Sequence, residues 1–259
     1  MGEPNYMRTD DSRRIAWRRR DGAGPMVVFL GGLRSDMMGT KAEHLDAWAQ
    51  ARGQGFLRFD YSGHGESEGQ FEDGCIGDWA EDAAAALTEL TEGPLLLVGS
   101  SMGGWISLLM ARAMPQRIAG LVTIAAAPDF TEDMMWSGFT DAQRAEMAAS
   151  GQVAVPSDYG EPLVITQRLI EDGRNQLVLR DPLALPFPTR MFQGTADAEV
   201  DMSVALRILD HAEGPDIRLT LVKGADHRFS SPEALAMIVA SIEEILTGLA
   251  AGSGSGGAA

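Results

Sequence analysis

Short apolar runs alternate with longer runs of helical period along most of this chain. Met26-Val27-Val28-Phe29-Leu30, Phe56-Leu57-Arg58-Phe59-Asp60 and Leu95-Leu96-Leu97-Val98 are of strand length, as are residues 118–126, 189–193 and 217–222. A strand that is apolar at nearly every position has both faces covered, as in a parallel sheet. Residues 41–53, 78–90, 105–114, 203–211 and 232–249 instead repeat their apolar positions at helical spacing; Trp79, Ala83, Ala86, Leu87 and Leu90 are one such stripe. Residues 6–9 and 14–20 read as two N-terminal strands joined at Asp10-Asp11-Ser12. Strands alternating with helices predict an α/β fold built on a mostly parallel, doubly wound sheet.

The rhythm breaks between residues 128 and 185, after the sixth strand. The stretch predicts a helix over 141–150, with Thr140 as its N-cap, and a second over 162–172. An insertion there sits over the carboxyl ends of the strands, where ligands bind in such sheets, so about 128–186 is expected to form a helical lid. The whole reads as a single domain over 1–251. Gly252-Ser253-Gly254-Ser255-Gly256-Gly257 has the composition of a flexible tail, set apart as 252–259.

The strand at 95–98 runs into Gly99-Ser100-Ser101-Met102-Gly103, and a helical pattern follows at once. Gly-x-Ser-x-Gly between a strand and a helix is the sequence of a nucleophile elbow. The serine of such a turn adopts strained dihedrals that lift its hydroxyl clear of the sheet, and the flanking glycines leave room for the neighbouring backbone. Ser101 is therefore the candidate nucleophile.

A serine hydroxyl needs a base. His44 and His211 fall inside helical patterns, and His64 lies in a glycine-rich turn well before the serine. His227 follows a strand and a turn and comes last in the chain, so it is the expected base. Asp197, after the strand at 189–193 and the Gly194 turn, is the favoured acid partner; Asp129, directly after the strand at 118–126, is its rival. An oxyanion hole needs two backbone N–H groups. Met102, next to the nucleophile, supplies one, and Leu33, after Gly31-Gly32, supplies the other. Met134, Met135 and Trp136 are the candidate acyl-binding residues of the lid. The histidines show no metal-ligand spacing, so neither metal nor cofactor is expected.

The formal net charge of −16 over 259 residues argues against nucleic-acid partners and anionic membranes. No apolar run approaches the ~20 residues of a membrane span. Cys75 is the only cysteine, which fits a reducing compartment. The expected location is cytoplasmic and the expected partner a small acylated molecule; the oligomeric state is left open.

These residues together resemble the α/β-hydrolase fold superfamily across about 6–249. Phe59-Asp60-Tyr61-Ser62-Gly63-His64-Gly65-Glu66-Ser67 is similar to that superfamily's Asp-x-x-Gly-x-Gly-x-Ser turn, in which the histidine is not catalytic. The chain further resembles the ABHD10 group, the mitochondrial palmitoyl-protein thioesterase and acyl-glucuronide esterase of animals and its bacterial relatives. Met38-Gly39-Thr40-Lys41-Ala42, Arg58 to Gly63, Gly93-Pro94 through Trp105, and Asp226-His227-Arg228 carry that likeness. The resemblance implies Ser101 as nucleophile, Asp197 as acid and His227 as base. The acid loop Asp197-Ala198-Glu199-Val200 departs from the group, with one aspartate where a pair is expected. No animal-type transit peptide is recognisable, so the mitochondrial address does not carry over.

The expected activity is hydrolysis of carboxylic esters or thioesters with a fairly apolar acyl group, through an acyl-enzyme. Two alternatives stand beside it: carbon–carbon bond hydrolysis or perhydrolysis on the same residues, and a hydrolase fold that binds a ligand without turnover.

Overall fold

The computed structural model describes residues 3–156 and 162–254. In chain order the elements are β1 (Asn5–Arg8), β2 (Arg14–Arg20), β3 (Ala23–Leu30), α1 (Thr40–Arg52), β4 (Gln54–Phe59), α2 (Ile76–Leu90), β5 (Leu95–Ser100), α3 (Met102–Ala113) and β6 (Ile118–Ile124). A π-helical turn follows at Thr131–Trp136. Then come α4 (Asp141–Ser150), β7 (Gln152–Val155), β8 (Leu163–Thr166), α5 (Gln167–Asn175), β9 (Leu183–Ala184), β10 (Thr189–Gly194), α6 (Met202–His211), β11 (Ala212–Glu213), β12 (Ile217–Val222) and α7 (Pro232–Gly254).

Eight of the strands form one sheet in the order β1-β2-β4-β3-β5-β6-β10-β12. From β4 to β12 all neighbours are parallel; only β2 runs against them. Side chains of β5 alternate between two cores, as the two-residue period of a strand requires. Leu95 and Leu97 pack with Trp79, Leu87 and Trp105 beneath α2 and α3. Leu96 and Val98 pack with Leu45, Ile238 and Ile242 beneath α1 and α7. The doubly wound architecture read from the sequence is the one observed. Because β3, β5, β6, β10 and β12 are parallel, the loops that leave their carboxyl ends gather along one edge. Those loops hold Gly31-Gly32, Ser101, Asp129, Asp197 and His227.

Three local expectations need correction. The helix expected over 162–172 begins only at Gln167. Leu163–Thr166 is the strand β8, paired antiparallel with β7, because the β-branched Val164, Ile165 and Thr166 suit a pleated edge better than a first helical turn. The hairpin of β7 and β8 makes the insertion less purely helical than expected. At the other end, α7 continues through Gly252, Ser253 and Gly254, since adding a residue to an existing helix costs far less than nucleating one. The rest of the expected flexible tail, residues 255–259, lies outside the described residues. The expectation at Thr140 holds: its hydroxyl accepts from Gln143 N–H, and the Gln143 side chain accepts from Thr140 N–H.

Candidate active site

Ser101 is the residue between β5 and α3, with φ 54° and ψ −118°. An L side chain at such dihedrals costs on the order of 1–3 kcal/mol, which the surroundings must supply. They do so through the backbone. Ser101 N–H donates to Ile124 O (2.9 Å), while its own carbonyl accepts from Gly104 N–H (2.9 Å) and Ala127 N–H (3.1 Å). The glycines permit the approach. A Cβ on Gly103 would stand 2.0 Å from Leu30 O, and one on Gly99 would stand 2.3 Å from Gly103 O. Helix α3 can therefore dock against the end of β3 only because both positions lack a side chain.

His227 closes on Ser101 from the loop after β12. Its Nε2 is 3.1 Å from Ser101 Oγ, and its Nδ1 is 2.9 Å from Asp197 Oδ2. Asp197 is fully buried at the side chain, while His227 keeps 13% exposure toward the mouth of the site. Asp197 Oδ1 accepts from the backbone N–H of Glu199 (2.9 Å) and Val200 (2.8 Å), and Oδ2 also accepts from Gln193 Nε2 (2.9 Å). Burial pushes this carboxyl up, but the hydrogen bonds from His227, Val200 and Glu199 outweigh it and hold it below the ordinary carboxylate value. An ionised Asp197 fixes the proton on Nδ1 and leaves Nε2 to accept from the Ser101 hydroxyl. The two loops are strapped together: Ala196 N–H donates to Ala225 O (3.0 Å), and Gly224 N–H donates to Thr195 Oγ1 (2.9 Å).

Asp129 has other work. It is fully buried, and its oxygens accept from Val178 N–H (2.8 Å), Leu179 N–H (3.1 Å) and Arg180 Nη1 (3.0 Å). All three donors lie in the segment after α5, so Asp129 pins the insertion to the end of β6. It is Asp197, not Asp129, that touches His227.

The loop after β3 lies against the serine. A Cβ on Gly32 would come within 3.3 Å of Ser101 Cβ. Leu33 follows in a turn closed by Ser35 N–H to Gly32 O (3.2 Å), and Arg34 in that turn has φ 54°. Met102 is the first residue of α3, so its N–H is among those a helix leaves without an internal acceptor. Neither the Leu33 nor the Met102 N–H donates to a backbone carbonyl among the described residues.

Met134, Met135 and Trp136 are half-buried in the π-helical turn and pack on the larger core. The guanidinium groups of Arg144 and Arg174 stand 5.5 and 4.9 Å from the Trp136 ring, which meets Phe139 at 6.0 Å. Trp136 lines a crevice of about 100 Å³ between α4 and α5. Trp136 is thus occupied by packing within the insertion.

Two side chains at the site escaped the motif reading. Gln193 is a fully buried polar residue at the end of β10, and it braces Asp197; a glutamine closing an apolar strand was the available signal. Glu199 stands in the sequence simply as part of the acid loop after Asp197. Its Oε2 lies 3.5 Å from His227 Nε2, the atom that faces the serine. Burial pushes the Cys75 thiol up to about 12, which keeps it protonated and inert as a nucleophile. Among the described residues, no three His, Cys, Asp or Glu side chains are grouped to hold a metal ion.

Parallel sheet, strained serine turn and a histidine and aspartate delivered by the last two strand ends define an α/β hydrolase. The alpha/beta hydrolase fold family matches residues 25–163, and the chain belongs to it. It is similar to palmitoyl-protein thioesterase ABHD10 of Rattus norvegicus, a mitochondrial protein, with 30% identity over 244 residues that cover 93% of this chain and 82% of that one. Among solved structures, mouse alpha/beta hydrolase domain-containing protein 10 superposes with a TM-score of 0.89 at 28% identity, covering 96% of this chain and 100% of that one. The crystal structure of an Agrobacterium vitis S4 protein assigned to the hydrolases superposes with a TM-score of 0.91 at 39% identity, covering 94% and 98%.

Proposed function

We propose that the protein is a serine hydrolase that cleaves carboxylic esters or thioesters through an acyl-enzyme. The observation that carries the reading is the hydrogen-bonded line from Ser101 Oγ through His227 to the buried Asp197. In this reading His227 Nε2 takes the hydroxyl proton as Ser101 Oγ attacks the acyl carbonyl. Asp197 stabilises the imidazolium that forms. The N–H groups of Leu33 and Met102 receive the oxyanion, aided by the amide dipoles of α3. The C–O or C–S bond then breaks, and Nε2 returns its proton to the leaving alcohol or thiol. Water, activated by the same nitrogen, attacks the acyl-serine and releases the acid.

In this reading the flexible thioether side chains of Met134 and Met135 receive an apolar acyl group. Likeness to a palmitoyl-protein thioesterase supports a thioester and a long acyl chain. The test is a ladder of oxygen esters and matching thioesters from acetyl to palmitoyl. Wild-type turnover should exceed that of Ser101→Ala by several orders of magnitude. A preference for long thioesters supports the deacylase-like reading, and Met134→Ala with Met135→Ala should then shift the peak of the ladder. Equal turnover by the serine variant overturns the assignment.

A further inference from the structure

Glu199 is on the same short loop as the acid, two residues on. Its backbone N–H braces Asp197, but its side chain turns the other way, and Oε2 stands 3.5 Å from His227 Nε2 with 39% exposure. His227 therefore has a carboxylate beside each ring nitrogen. The one at Nδ1 is buried and holds the ring; the one at Nε2 is half-open to solvent at the mouth.

Nε2 is also the atom that must protonate the leaving group. Whatever departs has to bring its oxygen or sulfur within hydrogen-bond reach of Nε2, about 3 Å. That puts the leaving atom within about 6.5 Å of Glu199 Oε2, with the first groups attached to it close by. We propose that Glu199 is a specificity-determining residue for the leaving group: its charge disfavours esters and thioesters whose departing half carries an anion close to the scissile bond, and favours neutral or ammonium-bearing ones. The inference rests on the serine-hydrolase reading given above.

Two cations at this rim, Lys41 and Arg228, moderate the effect. Lys41 Nζ donates to Arg228 O at 2.5 Å and is shared electrostatically between Asp226 and Glu199. Its ammonium is thereby held back at the Arg228 backbone. Burial also lowers its pKa to about 8. A unit charge about 6 Å away at an effective dielectric of about 20 corresponds to roughly a hundredfold in rate; solvent and Lys41 reduce this to about tenfold.

The experiment uses the full chain and butyryl thioesters of three thiols: thiocholine, N-acetylcysteamine and 3-mercaptopropionate, which are cationic, neutral and anionic. The readout is the ratio of kcat/KM values, because that parameter contains the departure of the thiol. Wild type should favour the thiocholine ester over the mercaptopropionate ester by about a hundredfold, about tenfold for each unit of charge, with the N-acetylcysteamine ester between them. Glu199→Gln should bring the two within about twofold, and Glu199→Lys should reverse the order. Both variants keep the backbone N–H that braces Asp197, and thermal melting checks that each is folded. A ratio that is the same in wild type and in both variants overturns the inference while leaving the serine-hydrolase reading intact. Failure of that reading looks different: no thioester is turned over and a fluorophosphonate leaves Ser101 unmodified, which overturns both.

Discussion

Asp197 Oδ2 and His227 Nδ1 are 2.9 Å apart, and the carboxylate is fully buried while the imidazole is not. One partner is fixed from behind by two backbone N–H groups and Gln193; the other is free to face substrate. On the proposed function, that asymmetry separates an orienting group from a reacting one. It also separates Asp197 from Asp129, which is equally buried but spends its oxygens on Val178, Leu179 and Arg180.

The two aspartates should fail in different ways. Asp197→Asn keeps the shape but offers His227 an amide, which favours the wrong tautomer. On the proposed function it should lower kcat by about 10³–10⁴. Asp129→Asn leaves His227 untouched and weakens the anchor of the insertion. It should cost about 1–3 kcal/mol of stability by urea titration and reduce kcat far less. Reversed signatures would make Asp129 the acid.

Gly103→Ala probes the turn without touching any reacting group. The new methyl would meet Leu30 O at 2.0 Å, and that oxygen belongs to a central strand which cannot retreat. Stability should fall by about 3 kcal/mol or more, with loss of turnover. Gly248→Ala is the control: it has nothing within 4 Å in the exposed part of α7. Helix propensity there should raise stability by up to about 1 kcal/mol. Equal effects at the two sites would contradict the close-approach argument.

Asp60, after β4, is 2% exposed and accepts from Met37 N–H (2.6 Å) and Glu66 N–H (2.9 Å). Burial raises its pKa from 3.8 to about 6 despite those bonds. The folded state therefore keeps a proton that the unfolded chain releases between about pH 4 and pH 6. Asp60's contribution to stability is full below the unfolded value and is lost as pH rises through about 6. The stability difference between wild type and Asp60→Asn should fall by about 2.5 kcal/mol from pH 4 to pH 7 and then stay level. A difference that is flat across this range would show that Asp60 titrates normally.

Much of this was legible in the sequence because it rests on local signals. A parallel strand is apolar on both faces, a nucleophile turn needs glycines at fixed spacing, and a histidine after the last strand has few other places to go. The π-helical turn at Thr131–Trp136 and the hairpin of β7 and β8 left no comparable trace, since four-residue strands and single helical turns are set by what they pack against. The choice between Asp197 and Asp129 had the same limit. Both follow a strand, and only the three-dimensional path of the chain shows which one meets His227. Glu199 was visible as an acid, but its approach to Nε2 depends on a side-chain direction that spacing does not encode.

The most direct measurement is mass spectrometry of the protein after reaction with a fluorophosphonate, which transfers its phosphonyl group to an activated serine and loses fluoride. The account predicts one adduct, on the peptide bearing Ser101, formed in wild type, strongly slowed in His227→Ala and absent in Ser101→Ala. Folded wild-type protein that stays unlabelled, or is labelled as fast without His227, would contradict the claim that these residues form a working nucleophile.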